Sequence, residues 1–123
     1  MIKLVFCLRR RADVSPAAFR RHWREVHGPL VAGHAATLRI RRYVQTHTID
    51  SPTGRALAAS RAGAEAFDGV AELWWDSEAD LAEATATPAG QAAGAALFAD
   101  EARFIDHARS AIWLAEEHPF VGP

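Results

Sequence analysis

The sequence predicts an α+β domain of order β-α-β-β-α-β, and three observations predict it. Four short segments have the apolar or alternating character of strands, two longer segments between them open on helix-start residues ahead of periodic apolar positions, and turn residues fall at the joints. Ile2 to Leu8 is almost wholly apolar and reads as a central strand covered on both faces. After a turn at Arg10 to Val14, Ser15 can cap a helix that starts on Pro16 and carries Phe19, Trp23 and Val26 at helical spacing. Gly28-Pro29 is expected to stop that helix, with a loose helical turn following over Leu30 to Leu38. Ile40 to Ile49 alternates as a strand, with Tyr43, Gln45, His47 and Ile49 on one face and Arg42, Val44, Thr46 and Thr48 on the other.

Ser51-Pro52-Thr53-Gly54 breaks this strand, and residues 51–67 read as a loop or a partly helical excursion. Asp68-Gly69 turns the chain into a third strand, Val70 to Trp75, in which Val70, Glu72 and Trp74 share one face and Ala71, Leu73 and Trp75 the other. Asp76-Ser77 caps a second helix to about Ala86, and Pro88 starts a further segment to about Ile105 that should bury Leu97, Phe98 and Phe104. Ser110 to Glu116 completes the set. The order is that of a ferredoxin-like split β-α-β fold, a four-stranded antiparallel sheet with helices on one face. Its other face, carrying residues such as Trp74, is left uncovered and calls for a partner.

One domain is the capacity of 123 residues and 13.4 kDa. Half the residues are hydrophobic and 24% charged, and no apolar run approaches the ~20 residues that span a bilayer, so the expectation is a cytoplasmic protein with no membrane association. The strand-like start lacks the small-residue cleavage site of a signal peptide. Cys7 is the single cysteine, which excludes an internal disulfide and predicts a buried structural thiol. Charge is uneven: residues 1–61 hold 12 Lys and Arg against 3 Asp and Glu, and residues 62–123 hold 2 against 12. The arginines are scattered over strand ends, a helix and a strand without a nucleic-acid motif, so no nucleic-acid partner is expected. Arg39, Arg41 and Arg42 on one sheet edge and Glu116 and Glu117 on the other are expected to meet across a two-fold axis.

Phe19-x-x-x-Trp23-x-x-x-His27-Gly28-Pro29 is the most informative string. Phe19 and Trp23 form the buried stripe, and His27 is a titratable group near apolar rings, suited to acid-base work at neutral pH. Equally, an imidazole at a helix end can serve the last carbonyls and the dipole alone. Tyr43, Gln45 and His47 line one strand face at two-residue spacing, supplying a phenol, an amide and a second imidazole, unless that face is simply the wet side of an amphipathic strand. Glu72 beside Trp74 can orient an imidazole or act as a base, or pair with a strand arginine. Trp23, Trp74, Trp75 and Trp113 could form an aromatic wall for a planar ligand or belong to the core, with Trp74 the exception to a core role and Trp23 and Trp74 the ligand-binding candidates. His22, His34, His107 and His118 are expected to be surface or packing residues. His22 and His27 are five apart, which does not put them on one α-helical face, so no metal site is expected. No glycine-rich phosphate loop is present.

Taken in order, Ile2-Lys3-Leu4-Val5, the Phe-Trp-His-Gly-Pro string, Arg42-Tyr43-Val44-Gln45, Asp68-Gly69-Val70-Ala71-Glu72-Leu73-Trp74 and Glu117-His118 resemble the EthD family. The resemblance covers nearly the whole chain except Ser51 to Ala66. It implies a dimeric α/β-barrel: a homodimer whose sheets meet face to face, each protomer keeping a cleft between its sheet and the helix bearing His27. Relatives in that superfamily include cyclases, isomerases, decarboxylases and cofactor-free oxygenases, and the fold does not choose among them. The reading of the residues together with the resemblance is an enzyme that needs no cofactor and moves protons on a hydrophobic, aromatic or polyketide-like carbonyl compound. His27 would be its acid/base, with Tyr43, His47 and Glu72 assisting and Trp23, Gln45 and Trp74 binding. The alternatives are a cofactor-free oxygenase in the same cleft and a non-catalytic binding or accessory protein.

Overall fold

A computed structural model describes all 123 residues, Met1 to Pro123. Strands β1 (Ile2–Leu8), β2 (Arg42–His47), β3 (Gly69–Trp75) and β4 (Ala111–Ala115) form one antiparallel sheet in the order β2-β3-β1-β4. This is the predicted ferredoxin-like order, with β1 and β3 inside and β2 and β4 at the edges. The helices are α1 (Pro16–His22), α2 (Gly28–Leu38), α3 (Pro52–Ser60), α4 (Glu78–Ala86) and α5 (Pro88–Glu101). Ser15 caps α1 by accepting from Ala18 N–H at 3.1 Å, and Ser77 caps α4 by accepting from Asp80 N–H at 3.1 Å. α3 is the helical form of the excursion after β2, capped by Ser51 and exposed along its length.

Gly28-Pro29 does not stop the first helix. Trp23–His27 widens into a π-turn, in which Gly28 N–H bonds to the Trp23 carbonyl five residues back, and the chain runs on into α2. Pro29 explains the widening. In a regular α-helix its ring would crowd the Glu25 carbonyl and leave that carbonyl without an N–H. The extra residue also swings Val26 out of the predicted stripe, to 49% exposure.

One core cluster joins Leu8, Phe19, Trp23, Ala71, Phe104 and Ile105, locking β1 and β3 against the α1 and π-turn segment. Gly69 permits this closeness: an added Cβ would lie 2.4 Å from the Trp23 ring. Phe98, expected to be buried, is 61% exposed, stacked on His107 at the mouth of a cavity between the sheet and the helices, whereas Phe104 is buried.

Alternation along the strands sends Leu4, Phe6, Ala71, Leu73, Tyr43 and Ile112 toward the helices. The opposite face carries Lys3, Val5, Cys7, Val44, Val70, Glu72, Trp74 and Trp113. β1 is therefore covered on one face only, and apart from Leu8 its residues are half-buried, Cys7 included. Trp113 is 48% exposed. The edge charges are used within the chain: Arg39 bonds Asp80 and Glu83, Arg41 lies 3.6 Å from Asp76, Arg42 sits over the Trp74 ring, and Glu117 accepts from the Trp74 indole N–H. Glu116, exposed and 3.9 Å from His118, is the edge charge left largely free for the predicted pairing across a two-fold axis. No helix is long and apolar enough to cross a membrane.

Candidate functional site

A cavity of about 290 Å³ lies between the helix-facing side of the sheet and helices α2, α4 and α5. Its walls are mainly aliphatic and aromatic, among them Phe6, Trp23, Leu73, Trp75 and Leu97. Only four polar or ionisable side chains interrupt them: His27, Tyr43, Thr85 and Glu101. A mostly dry pocket with a few convergent polar groups is the usual form of a small-molecule site.

His27 is buried, and its Nδ1 lies 2.8 Å from Asp100 Oδ2. His22 Nε2 lies 3.0 and 3.1 Å from the two oxygens of the same carboxylate. The π-turn makes this possible. In a regular α-helix residues five apart point about 140° away from each other, whereas the five-residue hydrogen-bonded turn brings both rings to one side. The expectation that His22 is a bystander is corrected here for that reason. Burial pushes the Asp100 carboxyl up, but the hydrogen bonds and charges of His27 and His22 outweigh it and hold the group below its ordinary value. An ionised carboxylate only accepts, so both ring nitrogens facing it carry protons. Neutral His27 then has an unprotonated Nε2, which makes no hydrogen bond within the protein, while its ring lines the cavity. Phe104 presses edge-on against the same ring with centroids 5.3 Å apart.

Tyr43, Gln45 and His47 share a face as predicted, and that face is packed under the helices instead of lying wet. Gln45 holds them in a chain: its Nε2 donates to the Tyr43 hydroxyl and to the Trp23 carbonyl, both at 2.8 Å, and its Oε1 accepts from His47 Nε2 at 2.8 Å. The Tyr43 oxygen accepts from Gln45, so its own proton is free to donate into the cavity. Burial, with Glu101 adding, raises the Tyr43 phenol above its ordinary value and keeps it protonated. His47 stacks on Trp23 with centroids 4.3 Å apart and lies outside the cavity, in a second cleft.

Glu72 and Trp74 do not join this cavity. Both point to the uncovered face, where Glu72 is paired with Lys3 instead of a strand arginine. Two-residue alternation makes the separation unavoidable once Ala71 and Leu73 face the helices.

The sequence reading missed Asp100 and Glu101. A signal for Asp100 was present: Gly90, Ala93, Leu97, Asp100 and Phe104 follow the three-and-four spacing of one helical stripe, so a carboxylate stood where an apolar residue belonged. Glu101, at the cavity rim, accepts from His107 Nε2 at 3.1 Å, and His107 stacks on Phe98.

His47 gives the fold a pH dependence. Burial, then the charges of Arg24 and Arg20, hold its imidazole below the ordinary 6.5. As pH falls the unfolded chain therefore takes up this proton first, so the stability from neutral His47 is full above about 6.5 and is lost as pH drops toward the folded value. Melting temperatures in a non-anionic buffer should fall between about pH 7.5 and pH 5. His47→Phe, which keeps the stack on Trp23 but cannot titrate, should flatten that part of the curve. Asp100 acts in the same direction at lower pH, its contribution being full above about 3.8 and lost below it.

The EthD domain profile matches residues 11–108. Among solved structures, an EthD family protein from Bacillus halodurans C-125 is similar at 24% identity and a TM-score of 0.64, over 96% of this chain and 99% of that one. A dimeric ferredoxin-like protein of unknown function from Bacteroides fragilis is similar at 14% identity and a TM-score of 0.57, over 94% and 95%. SnoaB, a cofactor-independent oxygenase from Streptomyces nogalater, is similar at 16% identity and a TM-score of 0.55, over 99% and 97%. These identities carry the fold alone. No curated protein matches the chain by sequence. The profile match spans both halves of the fold, including the His27 segment and Asp100, and the chain belongs to the EthD family.

Proposed function

We propose that the chain is a small enzyme that moves protons on a hydrophobic, aromatic or polyketide-like carbonyl compound held in the 290 Å³ cavity. The observation that supports this most is the Asp100–His27 pair, with the unprotonated Nε2 directed away from the carboxylate at a ring that lines an apolar chamber. An imidazole fixed in one tautomer by a buried carboxylate is ready to take a proton from an acidic C–H, and Asp100 then steadies the imidazolium. The Tyr43 O–H can donate to the carbonyl oxygen as negative charge builds there, and apolar walls strengthen that bond by excluding water. His27 is the base, Tyr43 the oxygen donor and Asp100 the orienting group. Trp23 supplies wall, and Gln45 aims Tyr43. His47 acts on Tyr43 through Gln45, and Glu72 and Trp74 have no part in the step.

Aromatic ketones with an acidic α-C–H, incubated in D2O, test the reading. The protein should speed deuterium uptake at that carbon. Dioxygen consumption with a phenolic ligand would instead favour the oxygenase reading, which the likeness to SnoaB supports. Ligand binding with neither exchange nor oxygen uptake would leave a binding protein.

We also propose a homodimer formed through the face opposite the helices, where Val5, Val44, Val70 and Trp113 surround the Lys3–Glu72 pair. The similar protein from B. fragilis is described as dimeric. Light scattering at micromolar concentration should give twice the chain mass, and Trp113→Glu should shift it toward one. A stable monomer for the unmodified protein would overturn the proposal.

A further inference from the structure

Most arginines of this chain are occupied. Arg10, Arg11, Arg39, Arg41 and Arg55 pair with carboxylates, and Arg9 donates to backbone carbonyls. Arg20, Arg21 and Arg24 make no salt bridge or side-chain hydrogen bond, as is also true of Arg42, Arg103 and Arg109, but these three alone line one open cleft together, with Glu25, Gln45 and His47. The cleft contains no apolar side chain, and Glu25 is its sole acid. Its field is felt inside the protein, because Arg24 and Arg20 help to hold His47 in the neutral form.

We propose that this cleft is a binding site for the oxyanion group, carboxylate or phosphate, of a small molecule. Guanidinium forks match planar and tetrahedral oxyanions through paired N–H donors, and three unpartnered forks on one wall supply them without breaking an existing pair. His47 adds a fourth donor that the ligand itself would switch on. The Gln45 amide is fixed in orientation, since its Nε2 donates to the Trp23 carbonyl, so its Oε1 must accept from His47 Nε2. In the neutral ring Nδ1 is then the bare nitrogen. An anion in the cleft offsets the charge of Arg20, Arg21 and Arg24 and favours a proton at Nδ1, which can bond to it. The charged groups around His47 are Arg20 and Arg21 from α1 and Arg24 and Glu25 from the π-turn, with Gln45 neutral on β2. Binding should therefore tighten as pH falls through the His47 titration. This site is separate from the cavity, with Trp23 and Gln45 between them, and does not depend on the proposed reaction.

The test is an NMR titration of the full chain with inorganic phosphate and with succinate, following the His47 ring and arginine Nε signals against sodium chloride of equal ionic strength. The expected result is a saturable shift with one or both anions, together with an upward move of the His47 titration. Arg20→Gln with Arg24→Gln should weaken binding at least ~10-fold, and because both side chains are unpaired at the surface the fold should be unaffected. Phosphate alone would identify a phosphoryl ligand, succinate alone a carboxylate, and both the shared oxyanion chemistry. Shifts no larger than those from chloride, or an unweakened double variant, would overturn the proposal. So would binding to anionic vesicles or duplex DNA with no saturable response to either small anion.

Discussion

His27→Gln should slow deuterium exchange of the ketone that the unmodified protein turns over by roughly 10² to 10⁴-fold, the usual contribution of a positioned acid/base. Asp100→Asn should cost as much by another route. An amide at 100 can offer its NH2 to Nδ1, which turns the imidazole into the tautomer with the proton on Nε2 and removes the base from the cavity side. In that tautomer the Nε2–H faces the apolar cavity without an acceptor, so stability should fall by about 1–3 kcal/mol. His22→Gln separates the two roles: it touches Asp100 from the solvent side, so exchange should fall less than ~10-fold. Initial exchange rates and thermal melts of the three variants decide the matter. Unchanged rates in both His27→Gln and Asp100→Asn would take the pair out of the mechanism.

Gly90→Ala should have the largest effect on stability. Gly90 is buried in the first turn of α5, where an added Cβ would stand 1.7 Å from the Ala84 carbonyl oxygen. That oxygen is backbone, on α4, and cannot rotate aside as a side chain would. α4 and α5 would have to part, disturbing the Thr87 cap between them. Overpacking of this kind costs about 3 kcal/mol or more, which in a domain of this size lowers the melting temperature by roughly 10 °C. Gly94, on the same helix, has no atom within 4 Å of its added Cβ. Gly94→Ala should be neutral or slightly stabilising through helix propensity. A Gly90→Ala protein that melts with Gly94→Ala would show that the two helices can separate at little cost.

The parts of this molecule that were legible in sequence are those set by short-range chemistry. Ser15, Ser77 and Asp68-Gly69 marked boundaries because caps and turns need those residues, and alternation in β2 and β3 assigned each side chain to its face. The order of elements then fixed the sheet. What escaped depended on an event that spacing rules do not contain. The helix through Trp23–His27 departs from 3.6 residues per turn, so His22 was placed on the wrong side and Val26 on the right one for burial, both incorrectly. Asp100 escaped because its partners lie 73 and 78 positions earlier in the chain. Glu72 and Trp74 were correctly put on one face, but only the packing of Ala71 and Leu73 shows that this face turns away from the cavity.

The π-turn also determines which kind of change can retune this site. It amounts to one residue more than a regular helix needs between Trp23 and Gly28, and removing one residue there would return the turn to regular α-helical spacing, with α1 and α2 still in phase on either side. The α2 side chains Val31 and Leu38 would keep their places in the cavity wall, while the residues inside the turn, between Trp23 and His27, would change face together. A substitution reaches one side chain at a time and cannot reproduce that. A single codon lost across these five residues would therefore re-phase the turn that carries His27 in one step, without touching the sheet beneath it.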